Sequence, residues 1–447
     1  MSAGAPGPAP AGGGLAFMLR ALRYRNYRLF FAGQIVSLTG TWMSNVAVSW
    51  LVYRLTGSAM LLGVVGFSGQ IPIFLLAPVA GIFVDRWDRR QLLIATQTLS
   101  MLQSFALAAL TFSGRIDIAA LIALCVFQGC VNAFDMPCRQ AFAVEMIDKK
   151  EDLGNAIALN SSMVNVARLL GPSIGGVVIA AAGEGWCFFI DGASFSAVIG
   201  ALSAMRVRER PAREGSQADA LRQMREGWNY AFGFTPIRSI ILLMALVSLT
   251  GFPFMVLVPV FTGEILRGGP HTLGFLMTAS GCGALLGALW LASRRTVVGL
   301  ERAIPLAAGV LGAGLVVFCF ARTMWLSMAL MLLTGFGFII QIAAGNTILQ
   351  TIVEDDKRGR VMSFFTMAFL GAAPFGSLVA GGMAEAIGVT NTFAFGGSCC
   401  ILGALWFARE LPALRKAVRP IYVKMGILPE LAAGMESAAE PAVPPDD

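Results

Sequence analysis

The chain has 447 residues and a formal net charge of +7, with 56% hydrophobic but only 13% charged residues and a mean hydropathy of +0.72. A soluble domain carries about 25% charged residues, so this composition excludes a water-solvated globule and implies a protein that faces lipid. The basic residues cluster in short segments between apolar runs, which reads as membrane topology rather than as a nucleic-acid stripe.

Taken in chain order, the first segment is a Gly/Ala/Pro tail with no charged stretch leading into an apolar one, so it does not read as a signal peptide. Residues 1–27 are expected to form a disordered or amphipathic cytoplasmic N-terminus. Twelve apolar runs follow, each near the roughly 20 residues that a spanning helix needs. They lie at 29–52, 61–84, 91–112, 118–137, 155–182, 186–205, 239–261, 272–292, 303–321, 324–347, 361–386 and 391–409. The fold class expected is an all-α membrane protein of twelve transmembrane helices in two pseudo-symmetric six-helix bundles. The bundles would be residues 28–205 and 239–410, joined by a cytoplasmic linker at 206–238 and followed by a cytoplasmic tail at 411–447.

The charges agree with that count. Of the 33 Lys and Arg residues, 28 fall in alternate loops and the two flanks. Four (Arg54, Arg115, Arg267 and Arg322) fall in the opposite loops, and Arg168 lies inside a run. The side richer in Lys and Arg is the cytoplasmic one, so both termini are expected in the cytoplasm of a cell (inner) membrane protein. The halves also echo each other: LLGPSIGG at 169–176 has a counterpart in FLGAAPFG at 369–376. Weak internal repetition of this kind points to a transporter. The eight cysteines lie mostly in apolar runs without CxxC pairs and read as small fillers. No cofactor or metal is expected, nor an enzyme, because no HExxH or GxxxxGK[ST] element is present.

The loop after the second run reads Gly81-Ile-Phe-Val-Asp85-Arg86-Trp87-Asp88-Arg89-Arg90. It resembles the GxxxDRxGRR signature of the major facilitator superfamily, with Asp88 where that signature has Gly. The turn is therefore expected to differ, Asp being a residue that tolerates a left-handed conformation. The resemblance implies that Gly81, Asp85, Arg86, Arg89 and Arg90 form a cytoplasmic gate. Gly81 would admit a close helix, and Asp85 and the arginines would latch a facing helix end. Asp135, at the end of the fourth run, is expected to pair with Arg86, Arg89 or Arg90, or with the nearby Arg139. The fifth run holds Gly171, Pro172, Gly175 and Gly176, similar to the GPxxGG element of the superfamily's antiporters, and implies a helix bend and a tight interface. The stretches 132–141, 155–160 and 358–363 resemble the branch that includes the enterobactin exporter and macrolide efflux proteins.

Ser161, Asn165 and Arg168 share one helical face. A charge inside a span is expensive and usually functional, so this face is a candidate for the substrate cavity. The competing reading is an arginine that only orients helices. Gln34, Thr41 and Asn45 share a face of the first run. Gln128 and Asn132 lie in the fourth, and Gln341, Asn346 and Gln350 in the tenth. These side chains would either line the cavity or hydrogen-bond across helices. Asp191 is the candidate proton-coupling group, or else a carboxylate that orients its helix; Glu385 lies late in the eleventh run. His271, in an outer loop, needs no role. The segment 220–234 would lie on the membrane surface or brace the bundle. The function expected is a secondary-active, proton-coupled exporter, an antiporter, of an amphipathic siderophore-like or drug-like compound. Arg168 would favour anionic, phenolic or zwitterionic compounds. The alternatives are an importer of a small metabolite or a lysophospholipid transporter. A monomer is expected.

Overall fold

The computed structural model describes residues 19–147, 149–205, 228–294 and 296–425. Residues 1–18 of the N-terminus expected at 1–27, residues 426–447 of the tail expected at 411–447, most of the linker, Asp148 and Arg295 lie outside these residues. Among the described residues every regular element is helical, and twelve segments are long and apolar enough to cross a membrane.

They are α1 (Arg25–Thr56), α2 (Ala59–Arg86), α3 (Arg89–Phe112), α4 (Ile118–Glu145), α5 (Lys150–Ala182), α6 (Glu184–Ala204), and α7, which runs from Thr235–Thr250 into Phe254–Val260. Then come α8 (Pro270–Ala292), α9 (Leu300–Phe318), α10 (Met324–Ile352), α11 and α12 (Val389–Lys424). The α11 span is Asp355–Thr366, a π turn at Met367–Gly371, and Ala372–Ile387. Most of these helices outrun their apolar stretches, because their ends are polar and still have helical partners. The last helix does so by 15 residues beyond 409. Its extension keeps an i, i+4, i+8 stripe of Leu414, Val418 and Tyr422 buried, and Arg415 pairs with Glu301 at 3.1 Å.

Among the described residues the chain groups into two compact units. One draws on described residues within 19–47, 75–116 and 127–205, the other on those within 48–74, 117–126 and 228–425. Burial against lipid-like neighbours gives helices little reason to associate, so packing and hydrogen bonds must hold each unit. In the first unit Tyr27, Phe30, Leu93, Phe142, Val198 and Leu202 form a core. The segment before α1 closes one end of it. Arg20 and Arg23 pair with the buried Asp152, Tyr24 donates to the same carboxylate at 2.7 Å, and Ala21 N–H donates to Asn155 Oδ1 at 2.9 Å. This places Arg20–Tyr24 on the first turn of α5. In the second unit Phe261, Phe318 and Phe393 interlock with ring centroids 4.3–5.8 Å apart. There α9 and α12 approach so closely that a Cβ on Gly312 or Gly397 would lie 2.6 Å from the other's carbonyl oxygen.

Candidate functional site

The signature loop sits between α2 and α3. Asp88 is not left-handed: it is extended (φ −60°, ψ 112°) and its carboxylate accepts from Gln91 N–H at 2.8 Å. It thus caps α3, which explains why an aspartate serves where the superfamily signature has glycine. Gly81 has no described atom within 4 Å of the Cβ it lacks. The side chain of Asp85 lies outside what the structure describes, and Arg86 is exposed. Arg89 pairs with Glu145 of α4 at 2.6 Å. Arg90 donates to the carbonyls of Leu202 and Ser203 at 2.7 and 2.8 Å, where the C-terminus of α6 is electronegative. Of the partners considered for Asp135, the structure supplies Arg139, at 3.5 Å.

Gly171 and Gly175 of α5 approach α1 closely. A Cβ on Gly171 would strike Trp42 and come within 2.9 Å of the Thr39 carbonyl. One on Gly175 would lie 3.0–3.2 Å from Met43. Small residues therefore seat α5 on α1. Pro172 lies within a continuous helix. One face of α5 changes character along its length. Gly154, Ala158 and Ser161 are exposed and Asn165 and Arg168 half-buried, whereas Pro172, Gly176 and Ile179 on the same face are buried. Arg168 stands at the transition. Its guanidinium carbon lies 5.6 Å from the Trp42 ring centroid, and among the described residues no carboxylate pairs with it. Asn165 donates back to the Ser161 carbonyl at 2.9 Å.

The other predicted polar residues of the first unit meet inside it. Thr41 and Ser44 of α1 hydrogen-bond the buried Asp191 of α6. Ser104 of α3 donates to the same carboxylate at 2.9 Å. Gln128 donates to Ser100 and to Asn132 at 3.0 and 3.1 Å. Thr96 and Gln97 donate to Asp135 at 2.9 and 2.8 Å, and Arg139 donates to the buried Gln34 at 3.4 Å. Sequence reasoning missed the helix that joins these groups. The buried face of α3 carries Thr96, Gln97, Ser100, Gln103 and Ser104. Their helical spacing inside an apolar run was the available signal.

Other candidates stand apart. Asn45 is exposed on α1. In α10, Gln350 bonds Asn346 at 3.0 Å while Gln341 is buried on another face. Glu385 accepts from Ser58 Oγ and Met60 N–H at 3.1 and 3.3 Å, holding a carboxylate at the start of α2. The end of the segment expected as membrane-surface helix or brace is helical at 228–233. Trp228 meets Phe364, and Lys357 lies 4.5 Å from the Tyr230 ring, so this stretch braces α11.

Comparison with known proteins agrees with this architecture. The family profile described as "Transmembrane secretion effector" matches residues 17–422. The staphyloferrin A transporter of Staphylococcus aureus is 26% identical, covering 85% of this chain and 95% of its own. The multidrug efflux pump Tap of Mycolicibacterium fortuitum is 28% identical over 84% and 93%, and macrolide efflux protein A of Streptococcus pyogenes 21% identical over 86% and 96%. Among solved structures, a POT family transporter in complex with 5-aminolevulinic acid matches with a TM-score of 0.70 at 11% identity, over 87% of this chain and 96% of that one. The nucleoside transporter NupG matches with 0.63 at 15%, over 87% and 98%; both likenesses are of fold. With its twelve apolar helices, the chain is a multi-pass membrane transporter, not an enzyme, and belongs to the transmembrane secretion effector family in the efflux branch of the major facilitator superfamily.

Proposed function

We propose that the protein exports an amphipathic organic compound bearing negative or zwitterionic charge, by alternating access, in exchange for protons. It would lie in the cell (inner) membrane with both termini in the cytoplasm, as the distribution of Lys and Arg supports. The observation that carries the substrate class is Arg168. It is a cation within a span, on the strip of α5 that is open from Gly154 onward, with an aromatic face beside it and no carboxylate among the described residues. A fixed positive charge in a low-dielectric site repels lipophilic cations and attracts anions. Trp42 supplies a flat apolar surface for the rest of an amphipathic molecule. Relatives named for a siderophore and for multidrug efflux support a compound of this size and mixed polarity. Asp191, a buried carboxylate bonded to hydroxyls, is the group assigned to proton coupling.

Everted membrane vesicles with an imposed pH gradient test this reading, with carboxyfluorescein as the anionic probe and ethidium as the cationic one. Gradient-driven uptake of the anion, lost in Arg168→Ala at equal protein level, is the expected result. Preference for ethidium, or anion uptake unchanged by the substitution, would contradict it. Accumulation of the anion in intact cells instead would mean an importer.

A further inference from the structure

The polar groups buried in the first unit form a line. Asp135 of α4 is held by Thr96 and Gln97, Ser100 is held by Gln128, and Ser104 reaches Asp191 of α6 while contacting Gln103 Oε1 at 3.4 Å. From Thr96 to Ser104 is eight residues of helix, about 12 Å at 1.5 Å per residue. So α3 spaces two buried carboxylates along its axis and presents a hydroxyl or amide at every turn between them. Two amide oxygens on this line, Gln97 Oε1 and Gln128 Oε1, are buried without a hydrogen-bond partner among the described residues. Helix packing alone does not require that arrangement, because leucine or alanine at these positions would avoid unsatisfied polar atoms.

We propose that the buried face of α3 is a proton path between Asp191 and Asp135. The inference rests on the proton coupling proposed above and adds its route. A proton binds the Asp191 carboxylate and passes to the Ser104 oxygen as the Ser104 hydroxyl gives its own proton to a water beyond it. Ser100 repeats the exchange, and the last water protonates Asp135, directly or through the Thr96 hydroxyl. Each O–H bond broken is matched by one formed, and no electrons change owner. The glutamine amides hold the bridging waters, whose one-turn gaps of roughly 5–6 Å suit a single molecule between hydroxyls.

The charges around the path give it two unlike ends. Asp191 faces hydroxyls of α1 (Thr41 and Ser44) and α3 (Ser104), and Ser194 and Glu184 lie on its own helix. No cation pairs with it among the described residues. Asp135 has Arg139 at 3.5 Å, with the Arg89–Glu145 pair and Asp88 around the neighbouring Cys138. The end without a cation suits uptake of a proton, and Arg139 at the other end favours its release.

The test uses the full chain in proteoliposomes on a solid-supported membrane, with a pH jump and no transported compound. Wild type should give a transient current from protons moving within the protein. Asp191→Asn and Asp135→Asn should abolish it. Ser104→Ala and Ser100→Ala should slow it by about an order of magnitude, and Ser104→Thr, which keeps the hydroxyl, should restore the rate. Melting midpoints of all variants separate loss of the path from loss of fold. Should Asp135→Asn fail to fold, the two serine variants decide alone. A current of wild-type rate in both, a current surviving in Asp191→Asn, or none in wild type would overturn the proposal. Failure of the dye assay with these currents intact would fall on the substrate reading and leave the path standing.

Discussion

Aligned on Gly171 and Gly371, α5 and α11 share a glycine-bearing stretch and part company one turn earlier. In α5, Gly171 meets α1 at Trp42 and Thr39; in α11 its counterpart Gly371 meets Phe74 of α2, and Gly376, five residues on, meets α7 at the Leu249 carbonyl and Pro253. Each helix is thus seated on the first helix of its half of the sequence by a residue without a side chain. Upstream, Ser161, Asn165 and Arg168 of α5 correspond to Val361, Phe365 and Ala368 of α11. Val361 and Phe365 are buried, so the polar strip of one helix is a packing face in the other. The backbones differ as well. α5 is continuous from Lys150 to Ala182, whereas α11 opens into a π turn whose Phe369 carbonyl accepts from Ser248 at 2.5 Å. Glycine seating on the first helix therefore recurs in both halves, at different positions, while the polar strip is carried by α5 alone.

The largest effects should come from the feature the two helices share. Gly171→Leu and Gly376→Leu force side chains into backbone of α1 and α7. Overpacking of this kind costs about 1–3 kcal/mol where neighbours yield, and more where the obstacle is main chain. Both variants should lose monodisperse protein in detergent, read by fluorescence-detected gel filtration. A well-behaved Gly171→Leu protein would break the seam argument for α5.

The next effects separate the helices. Arg168→Ala should lower anion transport by about an order of magnitude while leaving the melting midpoint unchanged or raised, because a costly charge is removed. Ala368→Arg places a charge on the opposite helix at about 2.5–3.5 kcal/mol on insertion scales. It should lower the midpoint without improving anion transport. Equal transport losses from the two would mean that the halves are chemically equivalent after all.

The smallest effects concern the loops that precede α3 and α9. The first is capped by the Asp88 carboxylate, the second by Gly299 at φ +88° with Glu301 accepting from its N–H at 2.9 Å. Gly299→Ala should destabilise by about 1–2 kcal/mol through its left-handed backbone, and Asp88→Ala by about 1 kcal/mol through a lost cap. Asp88→Gly, which restores the residue of the superfamily signature, should change stability by only a few tenths of a kcal/mol. Thermal melts of the three variants check the order.

Much of this fold was legible because lipid imposes a length and a composition on every span, so twelve apolar runs translate into twelve helices. Their ends were not, since polar residues such as Arg25, Lys150 and Lys424 remain helical beyond the apolar stretch. The Gly171 seam and the strip through Arg168 were readable from period and cost. What the sequence does not encode locally is the direction each face points. Gln34, Thr41, Gln128 and Asn132 read equally as cavity residues or as hydrogen bonds across helices, and each takes part in a hydrogen bond within the first unit. The polar face of α3 went unread because its hydrophobic neighbours dominate the run. Asp88 misled because a motif glycine suggests a left-handed turn, whereas an aspartate can hold the same corner as an extended cap.

The most direct test of the account is the charge preference of Arg168→Glu in everted vesicles, measured with carboxyfluorescein and ethidium side by side. If Arg168 sets the substrate class, wild type takes up the anion and Arg168→Glu the cation, at comparable protein levels. An unchanged preference for the anion in the glutamate variant would show that the recognising charge lies elsewhere in the protein.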